Sequence, residues 1–195
     1  MKRRIRYLSF LLVAQLALIT PAHSAGPNAL MQMDDAREAL AQGNGRAAMD
    51  ALFKAYMIIW KNTSLFLEES VVVSKGVTGY GQTNRRADTV FTPGEPILLY
   101  VAPKAFGFVF ENEVLHSRFA TDFALFSETG EFLAGKNDFG EFAFVSATPT
   151  TEIFLMLTLR IDGAPPGKYQ IKVNIRDMVK DQNAVTGFPI EIRAE

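Results

Sequence analysis

The chain has 195 residues, with 20 Lys+Arg against 21 Asp+Glu, a formal net charge of −1 and no cysteine. Without thiols there are no disulfides, thiolate metal sites, cysteine nucleophiles or lipobox attachment. At 48% hydrophobic residues, including 16 Phe, a chain of this length can build a sizeable core by apolar packing alone.

Lys2, Arg3, Arg4 and Arg6 precede an apolar stretch, Leu8 to Ile19, broken only by Ser9 and Gln15. Pro21-Ala22-His23-Ser24-Ala25 then offers small residues in an A-x-A-like arrangement. The pattern predicts a secretory signal peptide over residues 1–24, cleaved after Ser24 or Ala25. Arg6-Tyr7 follows Arg3-Arg4 where a twin-arginine signal wants an apolar pair, which favours the general secretory route. The apolar run falls short of the roughly 20 residues of a spanning helix. A periplasmic or secreted protein is therefore expected, with no integral span after cleavage. Removing the leader takes four basic and no acidic residues, so the remainder is the more acidic part. That argues against nucleic acid and anionic membrane surfaces as partners.

Asn28 to Trp60 carries apolar residues at helical spacing, interrupted by Gly43-Asn44-Gly45. Leu30, Met33, Arg37 and Leu40 fall on one side of the first segment. Ala48, Ala51, Leu52, Ala55, Ile58 and Ile59 form a single stripe on the second. An antiparallel helical hairpin over 28–62 is expected. Ala36 to Gly43, followed by Ala47 and Ala48, resembles one tetratricopeptide repeat. A solitary repeat of that kind cannot bury its own face, so the hairpin is expected either to pack on the following domain or to serve as a recognition module.

From Glu69 the texture changes to short β-branched and aromatic runs between turns. Val71 to Val73 precede Gly76, Gly79 and Gly81. Pro93-Gly94-Glu95-Pro96 opens Ile97 to Val101. Arg118 to Phe126 ends at Glu128-Thr129-Gly130, and two short strands, Glu131 to Ala134 and Phe142 to Ser146, follow. Thr151 to Ile161 places Ile153, Leu155, Leu157, Leu159 and Ile161 on one face. Lys168 to Arg176 alternates, with Tyr169, Ile171, Val173 and Ile175 inward. Asp181-Gln182-Asn183 turns before a last strand of Phe188, Ile190 and Ile192. About seven or eight short strands without helices between them predict an antiparallel β-sandwich over 69–195.

The ending carries a resemblance. Pro166-Gly167-Lys168-Tyr169, Ile171 to Asp177 and Gly187-Phe188-Pro189-Ile190 resemble the last two strands of bacterial immunoglobulin-like domains. There a Gly-x-Tyr enters the penultimate strand, an Asp ends it and a Phe-Pro or Pro-Phe opens the last. The resemblance implies an exported immunoglobulin-like sandwich in which Tyr169 bonds backbone across the corner. It implies no single function.

Few residues point to chemistry. Phe106, Phe108 and Phe110 alternate, and could line a ligand-facing stripe or complete the core. Tyr80 beside Arg85 and Arg86 could stack on a sugar or bind a carboxylate, or could belong to a solvated linker. Asn137, Asp138 and Glu141 match no calcium loop and read as a turn. His116 is the only histidine beyond the leader, too few for an imidazole metal site. It has no nucleophile elbow to serve. No cofactor fingerprint is present, so neither cofactor nor metal is expected. The expected function is non-catalytic binding or scaffolding in the cell envelope, with a protein partner. A carbohydrate-binding module using exposed aromatics, and a hydrolase centred on His116, are the rivals.

Overall fold

The computed structural model describes residues 27–194. The signal-peptide segment and its cleavage position lie outside the described residues. Among the described residues are two helices followed by nine strands, so the fold is mainly β with helices at the N-terminus.

Helix α1 spans Pro27–Ala41 and α2 spans Gly45–Asn62. Between them Gly43 turns the chain at φ 73°, a value that costs glycine little. Asn44 caps α2, its side-chain oxygen accepting from the Ala47 N–H at 3.1 Å. The seam between the helices is made of small residues: Ala29 and Ala36 on α1, and Ala48, Ala51 and Ala55 on α2, are all buried. The expected stripe on α2 is therefore split. Its alanines form the seam, while Leu52 stands half-exposed. On α1, Leu30, Met33 and Leu40 also stay outside the seam. Only the last turns of α2 reach the sheets, through Met57 and Trp60. The hairpin as a whole does not lie along them.

The strands are β1 Phe66–Val73, β2 Val90–Phe91, β3 Ile97–Lys104, β4 Val109–Glu111, β5 Val114–Ser127, β6 Phe132–Ser146, β7 Leu155–Leu159, β8 Gly167–Asp177 and β9 Gln182–Ile192. They form a three-stranded sheet in the order β1-β3-β7 and a larger one in the order β2-β9-β8-β5-β4, with β6 also on β5. All pairs are antiparallel except β2 with β9, which run parallel, so the larger sheet is mixed and not wholly antiparallel as expected.

One apolar cluster takes side chains from both sheets. Ile97, Leu99 and Val101 of β3 and Leu155, Leu157 and Leu159 of β7 come from the first. Ile171, Val173 and Ile175 of β8 and Phe188, Ile190 and Ile192 of β9 come from the second. The period-2 facing of these strands holds: every residue in that set is buried. Complete burial of one such side chain contributes about 1.5–3 kcal/mol.

Two expected boundaries move. The two short strands around residue 140 are one long strand, β6, and Asn137-Asp138 is not its end but an irregularity within it. There the register with β5 shifts between Thr121 and Phe123. Asp138 takes φ 50°, and its N–H donates to Asp122 Oδ1 at 3.0 Å. The last strand begins at Gln182, so Phe188-Pro189 sits inside it and does not open it. At the other end of β8, Asp177 is buried and accepts from the N–H groups of Gly107 at 2.6 Å and Val179 at 2.9 Å. It therefore both ends the strand and starts the turn.

Candidate functional site

About half of the exposed large apolar side chains of the described residues lie on the hairpin. Met49 is 73% exposed, and Leu30, Met33, Leu40, Leu52, Phe53 and Tyr56 also lie open. At 100° per residue, Leu30, Met33 and Leu40 fall to one side of the Ala29–Ala36 line on α1. Met49, Leu52, Phe53 and Tyr56 fall to one side of the Ala48–Ala55 line on α2. In an antiparallel pair these two sides coincide. Small residues in the seam thus draw the helices together and, among the described residues, leave these larger side chains exposed on one side, with Arg37 among them.

The face ends at a firm junction with the sheets. Trp60 is buried, lies edge-on to Phe106 with ring centroids 5.0 Å apart, and donates its indole N–H to the Phe106 carbonyl at 2.7 Å. Lys180 reaches into the same place. Its ammonium donates to the carbonyls of Ala105 at 2.6 Å, Thr63 at 2.9 Å and Trp60 at 3.2 Å. A cation on the last carbonyls of α2 complements the negative end of the helix dipole. Desolvation lowers the Lys180 pKa, and the nearby Asp177 carboxylate partly opposes it. Gln182 adds a bond by accepting from the Leu65 N–H at 2.8 Å. None of these polar groups stands in a periodic pattern, so only the single Trp of the sequence signalled the junction.

Tyr80, Arg85 and Arg86 are not brought together as a site. The Tyr80 hydroxyl donates to Glu68, and Lys104 lies 4.6 Å from the ring centroid. That bond from Tyr80 holds the Glu68 carboxyl below the usual carboxylate range against some burial, with help from Lys104. Burial and the Glu68 bond push the Tyr80 hydroxyl up. Arg85 pairs with Glu69 at 2.7 Å. Arg86 pairs with Glu95 at 2.6 Å, donates to the Val90 carbonyl at 2.7 Å and lies 4.2 Å from the Phe91 ring centroid. Both guanidiniums already hold a carboxylate of the chain. The segment is a strap fastened across β1 and β2, not an open linker.

Phe106, Phe108 and Phe110 do not share a surface. Phe106 is fully buried, Phe108 is half-buried against Trp60 and Phe106, and Phe110 is 67% exposed. The alternation that suggested a stripe is broken by Ala105 at φ 58° and by the late start of β4 at Val109. His116 lies on β5 between Val109 and Val145 of the neighbouring strands, its Nε2 without a hydrogen-bond partner. Ser117 faces the other way and donates to the Gly107 carbonyl at 2.9 Å. No group of three or more metal-ligating side chains occurs among the described residues. An open cleft of about 360 Å3 lies between Phe123, Leu125, Leu133, Ile161 and Tyr169, with Arg160 and Asp162 also lining it.

No family model matches the chain, and no curated protein matches it. Among solved structures it is similar to the Pseudomonas fluorescens alkylpurine DNA glycosylase AlkC bound to DNA containing an abasic site analog. The identity is 15% and the TM-score 0.37, over 85% of this chain and 39% of that one. It is also similar to Spo0M, a sporulation control protein from Bacillus subtilis, at 9% identity and TM-score 0.34, over 68% and 51% of the two chains. A third similarity is to the CARDB domain of the Pyrococcus furiosus PF1109 protein, at 11% identity and TM-score 0.26, over 69% and 96%. The chain thus spans well under two thirds of the first two structures. Among the described residues no helix is long and apolar enough to cross a membrane.

Proposed function

We propose that this is an exported, non-catalytic binding or scaffolding protein of the cell envelope, whose helical hairpin docks a protein partner. The observation that carries the reading is the uncovered apolar face from Leu30 and Met33 on α1 to Met49, Phe53 and Tyr56 on α2. The β-rich body serves as a platform. We read it as an immunoglobulin-like sandwich, because one core draws on both sheets and because Tyr169 and Asp177 stand at the two ends of β8. Trp60 and Lys180 fasten the end of α2 to this platform. Export rests on the basic, apolar and small-residue run of the first 25 residues.

Two measurements test this. Mass spectrometry of the protein from its native host is expected to find an N-terminus at Ala25 or Gly26, and an intact Met1 in the membrane fraction would reverse the location. A photo-crosslinker at Met49 is expected to give discrete protein adducts in the living envelope. A crosslinker at Lys172, on the polar face of β8, is expected to give none. Equal labelling from both positions, or none from either, would remove the hairpin as a docking surface.

A further inference from the structure

We propose that the outer face of the larger sheet carries a binding site for an acidic saccharide, a sugar unit that bears a carboxylate. The site is separate from the hairpin and goes beyond protein docking. Three observations carry it.

The first is shape. Gly135 of β6, Ala124 of β5 and Lys172 of β8 stand in one row across the sheet. The next row toward the β5–β6 turn holds Phe132 and Phe126, their rings edge to face with centroids 5.8 Å apart. The row on the other side holds Asp122, Asn174 and Val185. Paired residues of neighbouring strands point to the same face, so a row with glycine and alanine lies low between two taller ones. The result is an open cleft of about 380 Å3, a size that suits a small ligand. A side chain at Gly135 would not fit, since a Cβ there would meet the Phe123 carbonyl oxygen at 2.9 Å and the Phe132 ring at 3.1 Å.

The second is charge. On and beside the larger sheet, Arg118 pairs with Glu111, Lys168 with Glu128, Arg176 with Asp122 and Asp138, and Arg193 with Glu191. Lys136 and Lys172 have no such carboxylate among the described residues, and both line this cleft. The one carboxylate that lines it, Asp122, is already committed. It accepts from the Asn174 amide, the Arg176 guanidinium and the Asp138 N–H, each at 3.0 Å. The cleft therefore offers two uncommitted positive charges and no uncommitted negative one. Ammonium groups act as mobile point charges toward a carboxylate.

The third is the apolar wall beside those charges. Phe132 is 60% exposed, and the Lys172 ammonium lies 4.7 Å from the Phe126 ring centroid. A flat ring next to two cations fits a ligand that has an apolar face and a negative charge together. A pyranose with a carboxylate has both: its C–H face packs on Phe132 while the carboxylate reaches the lysines. A phosphate or a chloride would use the lysines and leave the ring bare.

Digalacturonate, a disaccharide of two uronic acids, is the probe, with its dimethyl ester as the neutral twin. Titrated into isotope-labelled protein from about 0.1 to 20 mM, a span that brackets millimolar affinity, it is expected to shift the amide resonances of Ala124, Gly135, Lys136 and Lys172 saturably. The ester should bind about tenfold more weakly, and so should the acid to the Lys136→Gln, Lys172→Gln double variant, because each lacks the charge-assisted contacts. Phe132→Ala should weaken binding by about fivefold. Both lysines are exposed, so the double variant should keep the far-UV circular dichroism and Tm of the wild type. Absence of saturable shifts across that range overturns the proposal, as does an ester that binds as tightly as the acid, or an affinity indifferent to the lysine variant. Acetate binding as tightly as digalacturonate would also overturn it, since the sugar would then contribute nothing.

Discussion

Tyr169 lies half-buried at the start of β8, its ring against the core and its hydroxyl donating to the Pro165 carbonyl at 2.6 Å. Tyr169→Phe keeps the ring and should cost about 1 kcal/mol. Tyr169→Ala should cost more, about 2 kcal/mol, below the usual loss for a fully buried aromatic because part of the ring is already solvated. Equilibrium denaturation of the three proteins tests this, and equal stability of all three would mean neither ring nor hydroxyl holds the corner. Asp122 supports a pH prediction. Burial would raise its pKa, but the Asp138 N–H, Asn174 and Arg176 outweigh that and lower it. The unfolded carboxyl then takes up its proton at higher pH than the folded one, so stability falls as the pH drops below about 4. Asp122→Asn should flatten that part of the profile, and an unchanged acid limb would show that Asp122 contributes nothing to it. Tyr169 was legible because a Gly-x-Tyr before an alternating strand is a local pattern. The partners of Asp122 were not, since Asn174 and Arg176 are brought to it only by the β5–β8 register.

At the scale of elements, β8 and β7 could be read from the sequence because one face of each is fully buried and the other is not, and burial of one face enforces period 2. Val173→Asp should destabilise by about 4 kcal/mol, since it buries an unpaired charge. Lys172→Asp, one residue away on the outer face, should stay within roughly 0.5 kcal/mol. If the two variants melted together, the facing of the strand would be wrong. Strand β6 was misread as two, because its middle residues are exposed on both faces and an aspartate at positive φ looks like a turn. The helices were placed correctly but their faces were not. Apolar spacing alone does not say whether alanine or leucine takes the inner side, and here close approach selected alanine. The hairpin's anchorage gives a further test. Lys180→Met retains the stem and removes three charged hydrogen bonds, so it should cost about 2 kcal/mol. It should also speed amide exchange in the last turn of α2, where unchanged exchange would show that Trp60 alone holds the junction.

Over the whole molecule, the mainly β body and the N-terminal helices were visible in the sequence, because composition and period change sharply near residue 69. The candidate surface was not, since exposure of the hairpin depends on where the sheets end. Nor was the strap from Ser74 to Glu95, whose ion pairs follow no helix or strand spacing. One product of that strap has a bearing on how the chain reaches this state. Strand β2 is only Val90–Phe91, yet it lies parallel on β9, donating no side chain but Phe91 to the core and accepting at Thr89 and Phe91 from the N–H groups of Glu191 and Arg193. Its partner is roughly a hundred residues away in sequence, a separation at which contacts form late. Until they form, the outer edge of β9 is a bare template for another molecule's strand. Phe91→Ala should therefore lower refolding yield more steeply as protein concentration rises than Val173→Ala does at matched stability. Yields falling in parallel would show that the clasp closes early and that the nascent chain never leaves this edge unguarded.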